Sequence, residues 1–158
     1  MKVIDLTHTI LEDMPVFPGS ETPKSTTKST YEKDGFKETL LQMYSHVGTH
    51  MDPPAHIFAN QKTLDQFSPE QFIGKALVVD CRDLKEGQAI TIDKINIDKA
   101  KLADFLLFNL GWDKRWNLDT YFNDYPCIDD TVLEFILNSN FKGIGFDVMG
   151  LDPCVIII

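Results

Sequence analysis

Apolar positions along this chain come in short runs, not in long helical stripes. Val3-Ile4-Asp5-Leu6-Thr7-His8-Thr9-Ile10 is rich in β-branched residues and predicts a first strand. Met14-Pro15-Val16-Phe17-Pro18-Gly19 predicts a stiff, irregular loop that carries Phe17. Residues 20–30 are polar and predict a loop or an edge strand. Asp34-Gly35 is a hairpin turn signal, and a strand over residues 36–45 is expected beyond it. Ser68-Pro69 marks a short helix start, with serine as cap and proline in the first turn.

The second half reads differently. Ala76-Leu77-Val78-Val79-Asp80-Cys81 and Phe105-Leu106-Leu107-Phe108-Asn109-Leu110 are near-continuous apolar runs, expected as strands buried on both faces. Residues 90–97 contain a short β-like run, and 98–103 a helical turn. Asp129 to Ser139 has helical spacing: Val132, Leu133, Ile136 and Leu137 form the stripe and Asp129 or Asp130 the cap. Lys142-Gly143-Ile144-Gly145-Phe146-Asp147 predicts a third strand. Buried strands interleaved with few helices imply an α/β or α+β domain with a mixed sheet. No repeat, low-complexity tract or linker divides residues 1–158, so one domain is expected.

Composition narrows the function classes. The chain has 158 residues, 43% hydrophobic and 25% charged, as in globular domains. Net charge is −9 without a Lys/Arg run, which disfavours nucleic acid and anionic membranes as partners. No apolar stretch approaches the ~20 residues of a bilayer span. The first residues lack a signal-peptide apolar region, so a cytoplasmic location is expected. Cys81, Cys127 and Cys154 show neither disulfide-framework nor zinc-finger spacing and are read as neutral thiols.

One stretch carries chemistry: His46-Val47-Gly48-Thr49-His50-Met51-Asp52-Pro53-Pro54-Ala55-His56. Three of the chain's four histidines fall in it. Neutral imidazole and carboxylate are the usual protein ligands of zinc and similar divalent ions. Gly48, Pro53 and Pro54 argue against a helix. In an extended chain His46, Gly48, His50 and Asp52 point to one side. His50 and Asp52 then stand about 7 Å apart at Cα, which suits one ion, but His46 and His50 stand about 13 Å apart. Either the chain bends at Gly48, or two metals are served with Asp52 between them. His56 is out of comfortable reach of the same ion in an extended chain, and is the candidate general acid/base. His8 is read as structural. Phe17, Trp112 and Trp116 belong to residue types more often found in cores and interfaces. Phe17 and Trp112 are nonetheless the candidates for substrate contact.

These residues resemble the putative cyclase / kynurenine formamidase family of metal-dependent hydrolases. The family pattern His-x-Gly-Thr-His-x-Asp-x-Pro-x-His stands complete from His46 to His56. The resemblance extends to Ile4-Asp5-Leu6-Thr7-His8, Phe17-Pro18-Gly19, Phe72-Ile73-Gly74-Lys75-Ala76, Gly111-Trp112-Asp113 and Gly145-Phe146-Asp147. It implies a swivelling β/β/α fold and a homodimer or homotetramer. It also implies hydrolysis of a small-molecule amide such as N-formylkynurenine, a step of tryptophan catabolism. His46, His50 and Asp52 would bind one or two Zn²⁺ ions, or Mn²⁺ or another divalent metal. His56 would be the acid/base, and aromatic residues near Phe17 would line the substrate pocket.

Two departures qualify what the resemblance implies. Family members continue beyond the Gly-x-Asp strand and supply a further His and Glu. Here no histidine follows His56, and the sequence ends Asp152-Pro153-Cys154-Val155-Ile156-Ile157-Ile158, expected as a further strand or as a truncated or frame-shifted terminus. Phe108-Asn109-Leu110-Gly111 also replaces the usual Arg-Thr-Gly. Three functions are therefore weighed: a metal-dependent amide hydrolase, a folded relative with weak or no catalysis, and a metal- or small-molecule-binding protein without turnover. Three protein ligands plus water is a normal open zinc site, so the missing pair does not forbid chemistry.

Overall fold

A computed structural model describes residues 2–153. Its elements fall into two units, Met1–Leu64 and Asp65–Ile158, each considered by itself. The final strand expected at Val155–Ile158 lies outside the described residues, as does Cys154.

In the first unit, β1 (Lys24–Ser29) and β2 (Glu38–Gln42) pair antiparallel, Lys24 opposite Gln42 and Ser29 opposite Glu38. The pairing slips between Thr27 and Ser29. The expected hairpin is present, but Asp34-Gly35 does not close it as a two-residue turn. A single helical turn, α1 (Tyr31–Asp34), stands in its place. Gly35 ends that turn at φ +76°, a left-handed conformation that costs glycine little, and its N–H bonds the Tyr31 carbonyl. The expected strand over 36–45 contracts to β2. Both of its faces are wet: Leu40 is 50% and Leu41 67% exposed.

The strand expected at Val3–Ile10 is absent. The Asp5 carboxylate accepts the Thr7 main-chain N–H at 2.9 Å and its hydroxyl at 2.7 Å. Such local side-chain bonds offer the backbone an alternative to a ladder. The β-branched composition thus finds no pairing strand.

The second unit holds the core. Its sheet runs β3 (Ala76–Asp80), β5 (Phe105–Asn109), β7 (Gly143–Phe146), all parallel, with β5 in the centre. Parallel neighbours need long crossovers. The first passes through β4 (Ala89–Ile90) and α2 (Ile97–Ala100), the second through β6 (Cys127–Ile128) and α3 (Asp130–Leu137). β4 and β6 pair in parallel as a second, short sheet. The three apolar runs therefore become the strands they predict, and the α/β class with few helices holds.

Burial differs from expectation in β3. Val79 is buried but Val78 is 57% exposed, so this outer strand of the sheet is covered on one face only. Central β5 buries Leu106 and Phe108, and the Phe108 ring stacks on Phe146 at 4.9 Å. Each such side chain contributes about 1.5–3 kcal/mol of transfer free energy. α3 is capped as predicted, Asp129 accepting the Val132 N–H at 2.9 Å, and Val132 is fully buried. Asp147, just past β7, accepts the main-chain N–H groups of Leu110 (2.8 Å) and Trp112 (2.9 Å). It thereby anchors the exit of β5. Among the described residues, no helix is long and apolar enough to cross a membrane.

Candidate metal centre

The histidine stretch leaves β2 and is not extended. Gly48 adopts φ +65°, so the chain turns back between His46 and His50. Side chains rarely tolerate this conformation. The space is tight as well, because a Cβ on Gly48 would stand 3.1 Å from the Met14 terminal methyl, which would have to shift by a few tenths of an ångström. Pro54 then opens a 3-10 turn, Pro54–His56, whose last N–H groups bond back to Pro53 and Pro54. Alternation along a strand is thus replaced by two bends, one at glycine and one at proline.

The bends gather the donors. One ligand atom each from His46, His50 and Asp52 lies within 4.8 Å of the others. The Asp52 Oδ1 faces His46 Nδ1 in a short contact and His50 Nε2 at 3.4 Å. Bonds of about 2 Å hold two donors of one ion no more than about 4 Å apart, so small side-chain rotations complete the set. Of the two arrangements weighed from the sequence, the bend at Gly48 is the one present.

The tautomer of His50 is also set. Its Nδ1 lies 2.7 Å from the Gly48 carbonyl oxygen. A carbonyl only accepts, so Nδ1 carries the proton and Nε2 presents its lone pair toward Asp52 and His46. The donor chemistry fits a divalent ion of the zinc type: two imidazoles, about a third exposed, and one carboxylate, about half exposed.

His56 departs from expectation. An extended chain would carry it away from the donors. The 3-10 turn instead swings it back, and its ring lies 3.9 Å from that of His46, centroid to centroid, tilted by 37°. His46 and His50 meet edge to face at 5.2 Å. His56 is therefore part of the cluster.

The aromatic candidates separate. Phe17 is 48% exposed, in the same unit as the histidines, and its carbonyl accepts the Ser20 N–H at 2.9 Å. Trp112 sits in the core of the second unit. It is 4% exposed, its indole N–H bonds the Tyr121 carbonyl at 3.0 Å, and the Arg115 guanidinium lies 3.8 Å over its ring. Its surroundings are those of a core residue, with the indole N–H bonded and one ring face covered. Two residues without chemistry of their own also touch the loop. Thr49 accepts the His8 main-chain N–H at 3.0 Å, and Met14 packs against Gly48. The Thr49 position within the motif was the only sequence signal for either.

Comparison with known proteins agrees with the fold. The family described as putative cyclase matches residues 4–153, and the chain belongs to that family. It is 31% identical over 147 residues to an uncharacterised protein of Methanocaldococcus jannaschii, covering 93% of this chain and 68% of that protein. It is 28% identical over 153 residues to a kynurenine formamidase of Geobacillus thermodenitrificans, covering 95% and 70%. Among solved structures, isatin hydrolase A of Labrenzia aggregata, bound to benzyl benzoate, superposes with a TM-score of 0.79 at 24% identity. That match covers 95% of this chain and 69% of the hydrolase. A potential metal-dependent hydrolase with cyclase activity superposes at 0.75, also at 24% identity, covering 98% and 72%.

Proposed function

We propose that this chain is a metal-dependent hydrolase of C–N amide bonds, acting on an aryl formamide such as N-formylkynurenine or on a related cyclic amide. The observation that carries the reading is the gathering of His46, His50 and Asp52 within 4.8 Å, with the His56 ring against them. Relatives named kynurenine formamidase support the substrate class.

His46, His50 and Asp52 would hold Zn²⁺ or a similar divalent ion. A bound ion of this kind lowers the pKa of its water and polarises a carbonyl oxygen. The Gly48 carbonyl keeps His50 in the tautomer that offers Nε2. His56 lies close enough to act at the same centre. Its imidazole would take a proton from the attacking water and deliver it to the leaving amine nitrogen. Phe17, half exposed, would offer a face to the aromatic part of the substrate.

The test is turnover. Protein loaded with Zn²⁺ or Mn²⁺ should release formate from N-formylkynurenine or open the ring of isatin, lose this with a chelator, and lose metal in His50→Ala. Metal bound in stoichiometric amount with no hydrolysis of either substrate would favour a binding protein or a catalytically degenerate relative. Unchanged metal content in His50→Ala would overturn the ligand assignment.

A further inference from the structure

The first unit buries few side chains. Among its described residues only Met14, Pro23 and Val47 are buried, while Val3, Leu6, Leu41 and Ile57 are each more than three-fifths exposed. Two of the three buried residues adjoin the same point. Val47, 4% exposed, precedes Gly48 in the chain. Met14, 3% exposed, packs its terminal methyl against Gly48, with Ile10 on the same side. The packing of this unit is thus concentrated under the residue whose bend and carbonyl arrange the histidines.

A polar contact supplements it. The Thr49 hydroxyl oxygen accepts the His8 main-chain N–H at 3.0 Å, across a long separation in sequence. Thr49 lies between Gly48, which turns the chain, and His50, which donates to the Gly48 carbonyl. Residues 8–14 therefore touch this bend twice, by a hydrogen bond at one end and by packing at the other. A left-handed glycine alone would leave the loop free to reverse, because glycine adopts both signs of φ readily. These two contacts select one of them.

We propose that residues 8–14 are a strap that sets the metal affinity of the histidine loop, with Thr49 and Met14 as positioning residues. The inference rests on the metal reading above. Thr49 and Met14 hold no metal themselves. They keep Gly48 at positive φ, and so keep its carbonyl on His50 Nδ1 and the His50 Nε2 toward His46 and Asp52. Supports of this kind commonly change metal affinity by about 10–100-fold.

The test is a Co²⁺ titration of the full chain followed by visible absorbance, with Zn²⁺ affinity by competition and the melting temperature of the metal-free protein recorded alongside. Thr49→Val keeps the shape of the side chain but removes the acceptor. It should weaken both ions by about tenfold, with a changed cobalt spectrum and little change in metal-free melting. Thr49→Ser restores the acceptor and should bind like the parent. Met14→Ala should weaken binding in the same direction, and Met14→Leu should not. Wild-type affinity in folded Thr49→Val and Met14→Ala overturns the strap, as does lowered melting with unmoved affinity. Should Thr49→Val fail to fold, the Met14 pair decides. Absence of any cobalt or zinc binding by the parent chain is a separate outcome, which overturns the metal reading and the strap with it.

Discussion

The imidazoles of His46 and His56 lie with their centroids 3.9 Å apart, brought together by a left-handed glycine and a proline-initiated 3-10 turn. This contact makes His56 a neighbour of the proposed ligands without placing it among the three converging donor atoms. His56→Ala should therefore retain metal while lowering turnover by about 10²–10⁴-fold, the usual contribution of a general acid/base. Elemental analysis alongside kcat checks this. Loss of the metal would make His56 a ligand instead.

Gly48→Ala should be costly in two ways. Alanine is strained at φ +65°, and its methyl would press on the Met14 methyl at 3.1 Å. Such backbone strain costs about 1–3 kcal/mol. Metal affinity should fall further than in a surface Gly→Ala control at Gly19, whose Cβ meets nothing but shares the positive φ. Equal effects at the two glycines would remove the special role of the Met14 contact.

Asp147 should matter for stability. Its two oxygens accept the N–H groups of Leu110 and Trp112 where β5 ends. Asp147→Ala leaves both donors without that partner, at a cost of about 1–3 kcal/mol. Chemical denaturation would register this as a lower midpoint with an unchanged slope.

Cys81 is fully buried beside β3, and burial pushes its thiol up to about 11. At pH 8 it should resist iodoacetamide in the native protein and react in urea, read by peptide mass mapping. The folded value lies above that of an unfolded thiol, so the unfolded chain loses this proton first. Stability from this group is full below about pH 9 and falls as pH rises from about 9 toward 11. An alkaline melting series should show that fall, reduced in Cys81→Ala.

The strands of the second unit were legible because a buried parallel sheet leaves uninterrupted apolar runs, as in Phe105–Leu110. Asp129 capped its helix for an equally local reason. In the candidate site, donor identity was legible and placement was not. Alternation predicts an extended chain through His46–Asp52, whereas Gly48 at positive φ reverses it. The turn at Pro54 moves His56 by the same kind of local choice, which residue types permit but do not compel. Val3–Ile10 misled because β-propensity describes fit to a sheet, and among the described residues no strand pairs with it. Burial of Trp112 was not legible, because an aromatic in a loop reads alike whether it faces a ligand or a core.

The sheet register also orders events in time. Ala76 pairs with Phe105 and Phe105 with Gly143, so each sheet contact closes a long loop before it stabilises anything. The hairpin closes across α1 alone, and the metal donors follow it directly in the chain. Hairpins form in about 1–10 μs, whereas sheets of distant strands are slow. The histidine loop also needs a distant partner, since its Thr49 contact to His8 spans 41 residues. In refolding with Co²⁺ present, cobalt absorbance should therefore lag the hairpin and rise on the slower timescale of the sheet, so the reactive loop takes its final shape late and not with the strands that lead into it.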